Sequence, residues 1–228
     1  MTSIISYKIA VIGGTGPQGK GLAYRFAQAG HTVVIGSRSS QRAEQTATDI
    51  LSRLGDDRAQ ISGADNTTAA ESADVVLLAV PYDGHAALVA SLRDQLTGKV
   101  VISCVNPLGF DKRGPYGLDV TDGSAAEEAQ RIVPDADLVG AFHHLSAVSL
   151  WSQAELLEHE DVLVCGDNRQ AKQVAIHLTH AINGRDGIDA GALRLARQLE
   201  PLTAVLIGIN KRYKIRSGIR IAGLEHSG

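Results

Sequence analysis

Long apolar runs, basic clusters and cysteine pairs are what this chain lacks. Its longest apolar stretches, Val75–Val80 and Ala204–Ile209, fall far short of the roughly 20 residues that cross a bilayer, so no membrane-spanning helix is expected. A formal charge of −3 without any long basic run leaves no electrostatic footprint for nucleic acid. Residues 1–7 show neither a charged nor an apolar leader segment, so no secretory signal is expected. The two cysteines, Cys104 and Cys165, each sit in an apolar run and read as buried free thiols; without a disulfide framework, a cytoplasmic location is expected. No H-E-x-x-H or C-x-x-C pattern occurs, so no metal site is expected, and His177 with His180, one helical turn apart, read as surface residues. Neither a Ser–His–Asp order nor a Tyr-x-x-x-Lys motif is present, which removes the usual nucleophile and the usual carbonyl-protonating pair.

What remains is an ordinary soluble composition, 44% apolar and 21% charged, arranged as short Val/Ile/Ala-rich runs alternating with helical segments. Strands are predicted at Lys8–Ile12, Thr32–Ile35, Val75–Val80, Val100–Val105, Leu138–Phe142 and Asp161–Gly166, with a weaker one near Gln60–Ser62. Such continuous apolar runs suit strands covered by helices on both faces. Helices are predicted at Gly19–Ala29, Gln41–Leu54, His85–Leu96, Ser124–Ile132, Arg169–Ile182 and, longest, Leu193–Tyr213. The fold class is therefore α/β: a Rossmann-type, doubly wound, mostly parallel sheet with a small C-terminal helical/αβ appendage. The division expected is a nucleotide-binding domain over residues 1–155 and a smaller C-terminal part over 156–228. The Gly- and Asp-rich segment Leu108–Gly123 is either a mobile loop beside a site or a plain surface loop.

Gly14-Thr15-Gly16-Pro17-Gln18-Gly19 matches G-x-G-x-x-G, directly after a strand and opening a helix, the context in which that motif binds a dinucleotide pyrophosphate. About 20 residues later an NAD site would carry an acid for the ribose 2′-hydroxyl. Here the chain reads Ser37-Arg38-Ser39-Ser40-Gln41-Arg42, with no carboxylate before Glu44. A hydroxyl and two guanidinium groups suit a 2′-phosphate, so NADP(H) is the expected cofactor. Val80-Pro81 and Asn106-Pro107 stand at the carboxyl ends of two strands, as nicotinamide contacts or as simple strand terminators. His143-His144 follows another strand end, and one ring can face the cleft, as a contact to a bound ring or as a satisfied structural histidine.

These residues, together with Ala141-Phe142-His143, Ala147, Val164-Cys165-Gly166-Asp167, Asp189-Ala190-Gly191 and Leu199-Glu200-Pro201-Leu202-Thr203, make the chain resemble the NADPH-dependent coenzyme F420 reductases along nearly its whole length. The resemblance implies hydride exchange between NADP(H) and the 5-deazaflavin coenzyme F420, without metal or covalent intermediate. Carried over by position, Gly14, Thr15, Gly16, Pro17, Gln18 and Gly19 would surround the pyrophosphate. Ser37, Arg38 and Arg42 would hold the 2′-phosphate. Val80, Pro81, Asn106 and Ala147 would lie near the nicotinamide, and His143 would position the reacting rings. The basic tail residues Lys211, Arg212, Lys214, Arg216 and Arg220 would attract the anionic side chain of the deazaflavin, or form a solvated helix end. An apolar face at Leu202–Ile209 predicts a homodimer. Two other functions share the NADP site: reduction of a small imine or ketone, and non-catalytic sensing of NADP(H).

Overall fold

A computed structural model describes residues 5–56, 59–152 and 156–224. Eight strands form one sheet: β1 (Lys8–Ile12), β2 (Thr32–Ser37), β3 (Ile61–Asp65), β4 (Val75–Leu78), β5 (Val100–Ser103), β8 (Asp137–Gly140), β9 (Leu163–Gly166) and β10 (Ile188–Gly191). Strands β6 (Leu108–Asp111) and β7 (Gly114–Gly117) pair separately as a hairpin. The order in the sheet is β10-β9-β8-β5-β4-β1-β2-β3, and all neighbours are parallel except β8 and β9. The order reverses between β1 and β4. In open sheets of this kind the ligand lies beyond the carboxyl ends at that switch point.

The apolar runs form strands because alternate residues are buried on opposite faces. In β1, Ile9 and Val11 join a core with Leu22, Phe26, Ile35 and Phe142, while Ala10 and Ile12 join another with Val76, Leu78, Val101 and Leu199. The covering helices are α1 (Pro17–Gln28), α2 (Ser40–Leu54), α3 (Asn66–Ser72), α4 (His85–Ser91), α5 (Arg93–Leu96), α6 (Ala125–Ile132), α7 (Ala147–Trp151), α8 (Arg169–Leu178), α9 (His180–Asn183) and α10 (Ala196–Tyr213). Side chains start several of them: Ser39 accepts from the Arg42 N–H, Asp65 from Thr68 and Ser124 from Glu127. Gly55 ends α2 in the left-handed region at φ 60°. Both cysteines are free and buried, and burial pushes each thiol up to about 12.

The structure differs from the sequence reading in several places. The segment read as a loop from Leu108 holds the β6–β7 hairpin, whose Gly117 lies against Pro201 of α10. The helix predicted over Arg169–Ile182 breaks after Leu178. The Thr179 hydroxyl, with one hydrogen to donate, lies 2.6 Å from the Ile176 carbonyl oxygen and 2.7 Å from that of Arg185, and α9 starts at the next residue. The helix predicted over His85–Leu96 divides at Leu92, and a 3₁₀ turn, Leu193–Leu195, precedes α10. Helices α3 and α7, of seven and five residues, are too short to carry a helical period in the sequence. The sheet continues past the expected division at residue 155 through β9 and β10; residues 153–155 themselves lie outside the described residues.

Candidate active site

The chain leaves β1 at Ile12 and turns through Gly13, whose φ of 80° belongs to the left-handed region. A Cβ on Gly13 would lie 2.5 Å from the Ala79 carbonyl oxygen, so glycine alone lets β1 and β4 meet here. Gly19, on α1, is equally confined, since its Cβ would lie 2.6 Å from the Gly13 oxygen. The predicted motif began at Gly14; the residue that makes the tight turn is Gly13, one place earlier. Gly16 caps α1 in extended geometry and has no side chain to bond this helix end, and Pro17 occupies its first turn. The first-turn N–H groups therefore present a positive dipole end to an anion.

At the end of β2, Ser37 is buried and its Oγ accepts from the Ser39 N–H at 3.3 Å. Arg38 and Arg42 are exposed, and among the described residues neither belongs to an ion pair. The next strand places Asp65 in register with Ser37, but its oxygens accept from the Thr68 N–H (3.0 Å) and hydroxyl (2.7 Å). The two guanidinium groups therefore have no acidic partner among the described residues.

Beyond the carboxyl ends of β4, β5 and β8 lies a cavity of about 450 Å³. It gathers Gly16, Pro17 and Gln18 from α1, Val80 and Pro81 after β4, Asn106 after β5, and His143 and Ala147 after β8. Ser37, Arg38 and Arg42 lie outside it, at the end of β2 and the start of α2. The lining also includes residues without an expected role in the site, among them Cys104, His144, Thr203, Leu206, Ile207 and, from the tail, Ser217. For Thr203, Leu206 and Ile207 the sequence signal is the apolar spacing of α10, while Cys104 and His144 follow strand ends.

The wall from Phe142 to Ala147 is tightly held. Phe142 takes φ 64°, a conformation that costs about 1–3 kcal/mol for a non-glycine residue. Its carbonyl accepts from Gln18 Nε2 at 3.2 Å. The His143 carbonyl accepts from both Asn106 Nδ2 (2.8 Å) and Thr203 Oγ1 (2.9 Å). Three elements thus pin one strained turn. The His143 ring is 1% exposed, and neither ring nitrogen has a hydrogen-bond partner among the described residues. Burial, with His144 beside it, lowers its pKa to about 3, so the imidazole is neutral. His144 is different: its Nε2 hydrogen-bonds to the Asp161 carbonyl oxygen at 2.8 Å. Behind the wall, Glu200 of α10 accepts from the Ala125 and Ala126 N–H groups at the start of α6, while burial pushes its carboxyl up to about 7.

A glycine-shaped helix end, two cations at β2 without an ion pair among the described residues and a cavity lined by uncharged residues at the switch point form an arrangement suited to a dinucleotide. Comparison with known proteins agrees. Residues 8–107 match the family described as NADP oxidoreductase coenzyme F420-dependent. The F420-dependent NADP reductase of Methanothermobacter thermautotrophicus is 42% identical over 229 residues, covering 98% of each chain. The chain belongs to the F420-dependent NADP reductase family. The reductase of that name from Methanocaldococcus jannaschii is 38% identical over 96% of this chain and 99% of its own. Among solved structures, an Arthrobacter sp. FB24 protein assigned as an F420-dependent NADP reductase superposes with a TM-score of 0.78 at 29% identity, covering 95% of this chain and all of that one. Full-length family membership places the cavity wall and α10, and not only the nucleotide-binding half, inside the shared architecture.

Proposed function

We infer that the protein transfers a hydride between NADP(H) and the deazaflavin coenzyme F420. The observation that carries this is identity at 42% over 98% of both chains with a curated F420-dependent NADP reductase. The bound nicotinamide and deazaflavin supply the redox chemistry; the chain supplies binding and orientation. Residues fit both tasks. Gly14, Thr15, Gly16, Pro17 and Gly19 shape the helix end for the pyrophosphate. The Gln18 side chain is already bonded to Phe142, which leaves its backbone N–H for the phosphates. Ser37, Arg38 and Arg42 are the set for the 2′-phosphate. Val80, Pro81, Asn106 and Ala147 surround the nicotinamide. The neutral His143 ring would position the reacting rings without bringing a charge to the site. Residues 156–228 complete the deazaflavin side through Thr203, Leu206 and Ile207.

Val205 on α10 is 56% exposed and Phe110 on the adjoining hairpin 69%, an apolar surface suited to a second copy of the chain in a cytoplasmic homodimer. Light scattering reads the mass directly, and a monomer at micromolar concentration refutes the dimer. The activity is tested by mixing reduced F420 with NADP and following both absorbances. Matched appearance of oxidised F420 and NADPH is expected; no turnover at saturating cofactors overturns the assignment.

A further inference from the structure

Far from the cavity, the fold brings together three side chains that the sequence separates. His177 lies in the last turn of α8, His180 opens α9, and Asp186 stands between the Gly184 turn and β10. One ligand atom from each lies within 4.8 Å of the others. His180 Nε2 is already 2.9 Å from Asp186 Oδ1, and the two imidazoles face each other with centroids 5.3 Å apart at 41°. His177 is half-buried, packed edge-on against Tyr7 at 6.2 Å, and makes no hydrogen bond among the described residues. Packing thus orients that imidazole toward a second one and a carboxylate while giving its nitrogens no partner.

We propose that His177, His180 and Asp186 form a surface site for a borderline divalent transition metal, with Zn²⁺ the simplest occupant. Two imidazoles and one carboxylate select Zn²⁺, Ni²⁺, Co²⁺ or Cu²⁺ over Mg²⁺ and Ca²⁺, which prefer oxygen-only sets. Metal–nitrogen bonds near 2.0–2.1 Å require ligand atoms about 3.3 Å apart, a contraction that the exposed His180 and Asp186 side chains reach by rotation. Water fills the fourth position. The spacing of His177 and His180 alone offered two ligands; the turn at Gly184 brings the third.

None of the three residues lines the hydride cavity. The Tyr7 contact puts the cluster near the start of β1, the end of the sheet opposite the carboxyl ends where the cofactors bind. The metal therefore acts as a clip. It ties α8 and α9 to the segment leading into the edge strand β10, and it takes no part in hydride transfer.

The test is titration of untagged, full-length protein with Zn²⁺ by calorimetry, and with Co²⁺ by visible absorption. Expected are one site per chain, a Co²⁺ spectrum of four-coordinate intensity, and a Tm raised by about 5–10 °C at a hundredfold excess over Kd. Mg²⁺ at the same concentration should leave Tm unchanged. H180A and D186A should each weaken Zn²⁺ binding at least tenfold, with the F420–NADP rate unchanged. Zn²⁺ binding that survives in both variants, or wild-type protein that binds no Zn²⁺, overturns the proposal. These readouts need no turnover, so they stand apart from the assay of the assigned reaction.

Discussion

Replacing Arg38 with alanine isolates the choice between NADP and NAD. Arg38 is exposed at the start of the β2–α2 turn, beside the buried Ser37, and forms no ion pair among the described residues. A charge-assisted hydrogen bond from a guanidinium to a phosphate is worth about 1.5–3 kcal/mol, which converts to about 10–150-fold in binding. Water competes at this exposed position, so the lower part of that range, about 10–30-fold, is expected for R38A. The 2′-phosphate is remote from the reacting carbons and is held equally in ground and transition states. The loss should therefore appear in KM for NADP while kcat at saturation stays near wild type. KM for NAD, which has no 2′-phosphate, should hardly move, and the NADP/NAD ratio of kcat/KM should fall by the same factor. R38A/R42A should fall further, and raising ionic strength should narrow the gap between wild type and variant. An unchanged NADP/NAD ratio in the double variant would refute the placement of the 2′-phosphate at β2.

Gly13→Ala should abolish NADP binding or folding, because it adds a Cβ 2.5 Å from the Ala79 oxygen at a residue with φ 80°; nucleotide titration and circular dichroism separate the two. Thr203→Val removes one of two donors to the His143 carbonyl and should cost about 1–3 kcal/mol by urea unfolding, with kcat falling more than affinity for NADP, whereas Thr203→Ser should restore both. Glu200, pushed up from 4.5 to about 7, holds its proton more tightly folded than unfolded. Its contribution to stability is thus fully present below about pH 4.5 and lost as pH rises toward 7, by up to about 3 kcal/mol. Glu200→Gln should flatten that part of the stability–pH curve, and an unaltered slope would contradict the shift.

The strands around the switch point were legible because they are buried on both faces. Ile9, Ala10, Val11 and Ile12 are each wholly inaccessible, so the chain had no polar position to offer there. The Ser37–Arg42 segment carries a signal of a different kind, a missing acid and added cations, which R38A and R38A/R42A put to the test. Strand β3 was half legible, since only its first residues look like a strand and Gly63 and Asp65 belong to turns by composition. The antiparallel direction of β9 was not legible, because direction depends on how the chain returns between Gly140 and Leu163 and leaves no local pattern. Thr203 carried no visible role, for a lone hydroxyl on an apolar helix is common and its partner is a backbone carbonyl 60 residues away.

That carbonyl explains how the two ends of the site are coupled. Phe142 is held at φ 64° only because its surroundings over-determine it. Gln18 of α1, the helix proposed to receive the pyrophosphate, donates to its carbonyl, while Asn106 after β5 and Thr203 of α10 donate to the next one. A nucleotide that settles on α1 therefore settles on an element already bonded to the wall beside its nicotinamide. Movement of α1 relative to that wall would break the Gln18 bond and leave the Phe142 turn under-supported. In the proposed reaction the cofactors carry the chemistry and the protein supplies distance and angle, so loosening the pinned Phe142 turn, as in Thr203→Val, is expected to lower kcat.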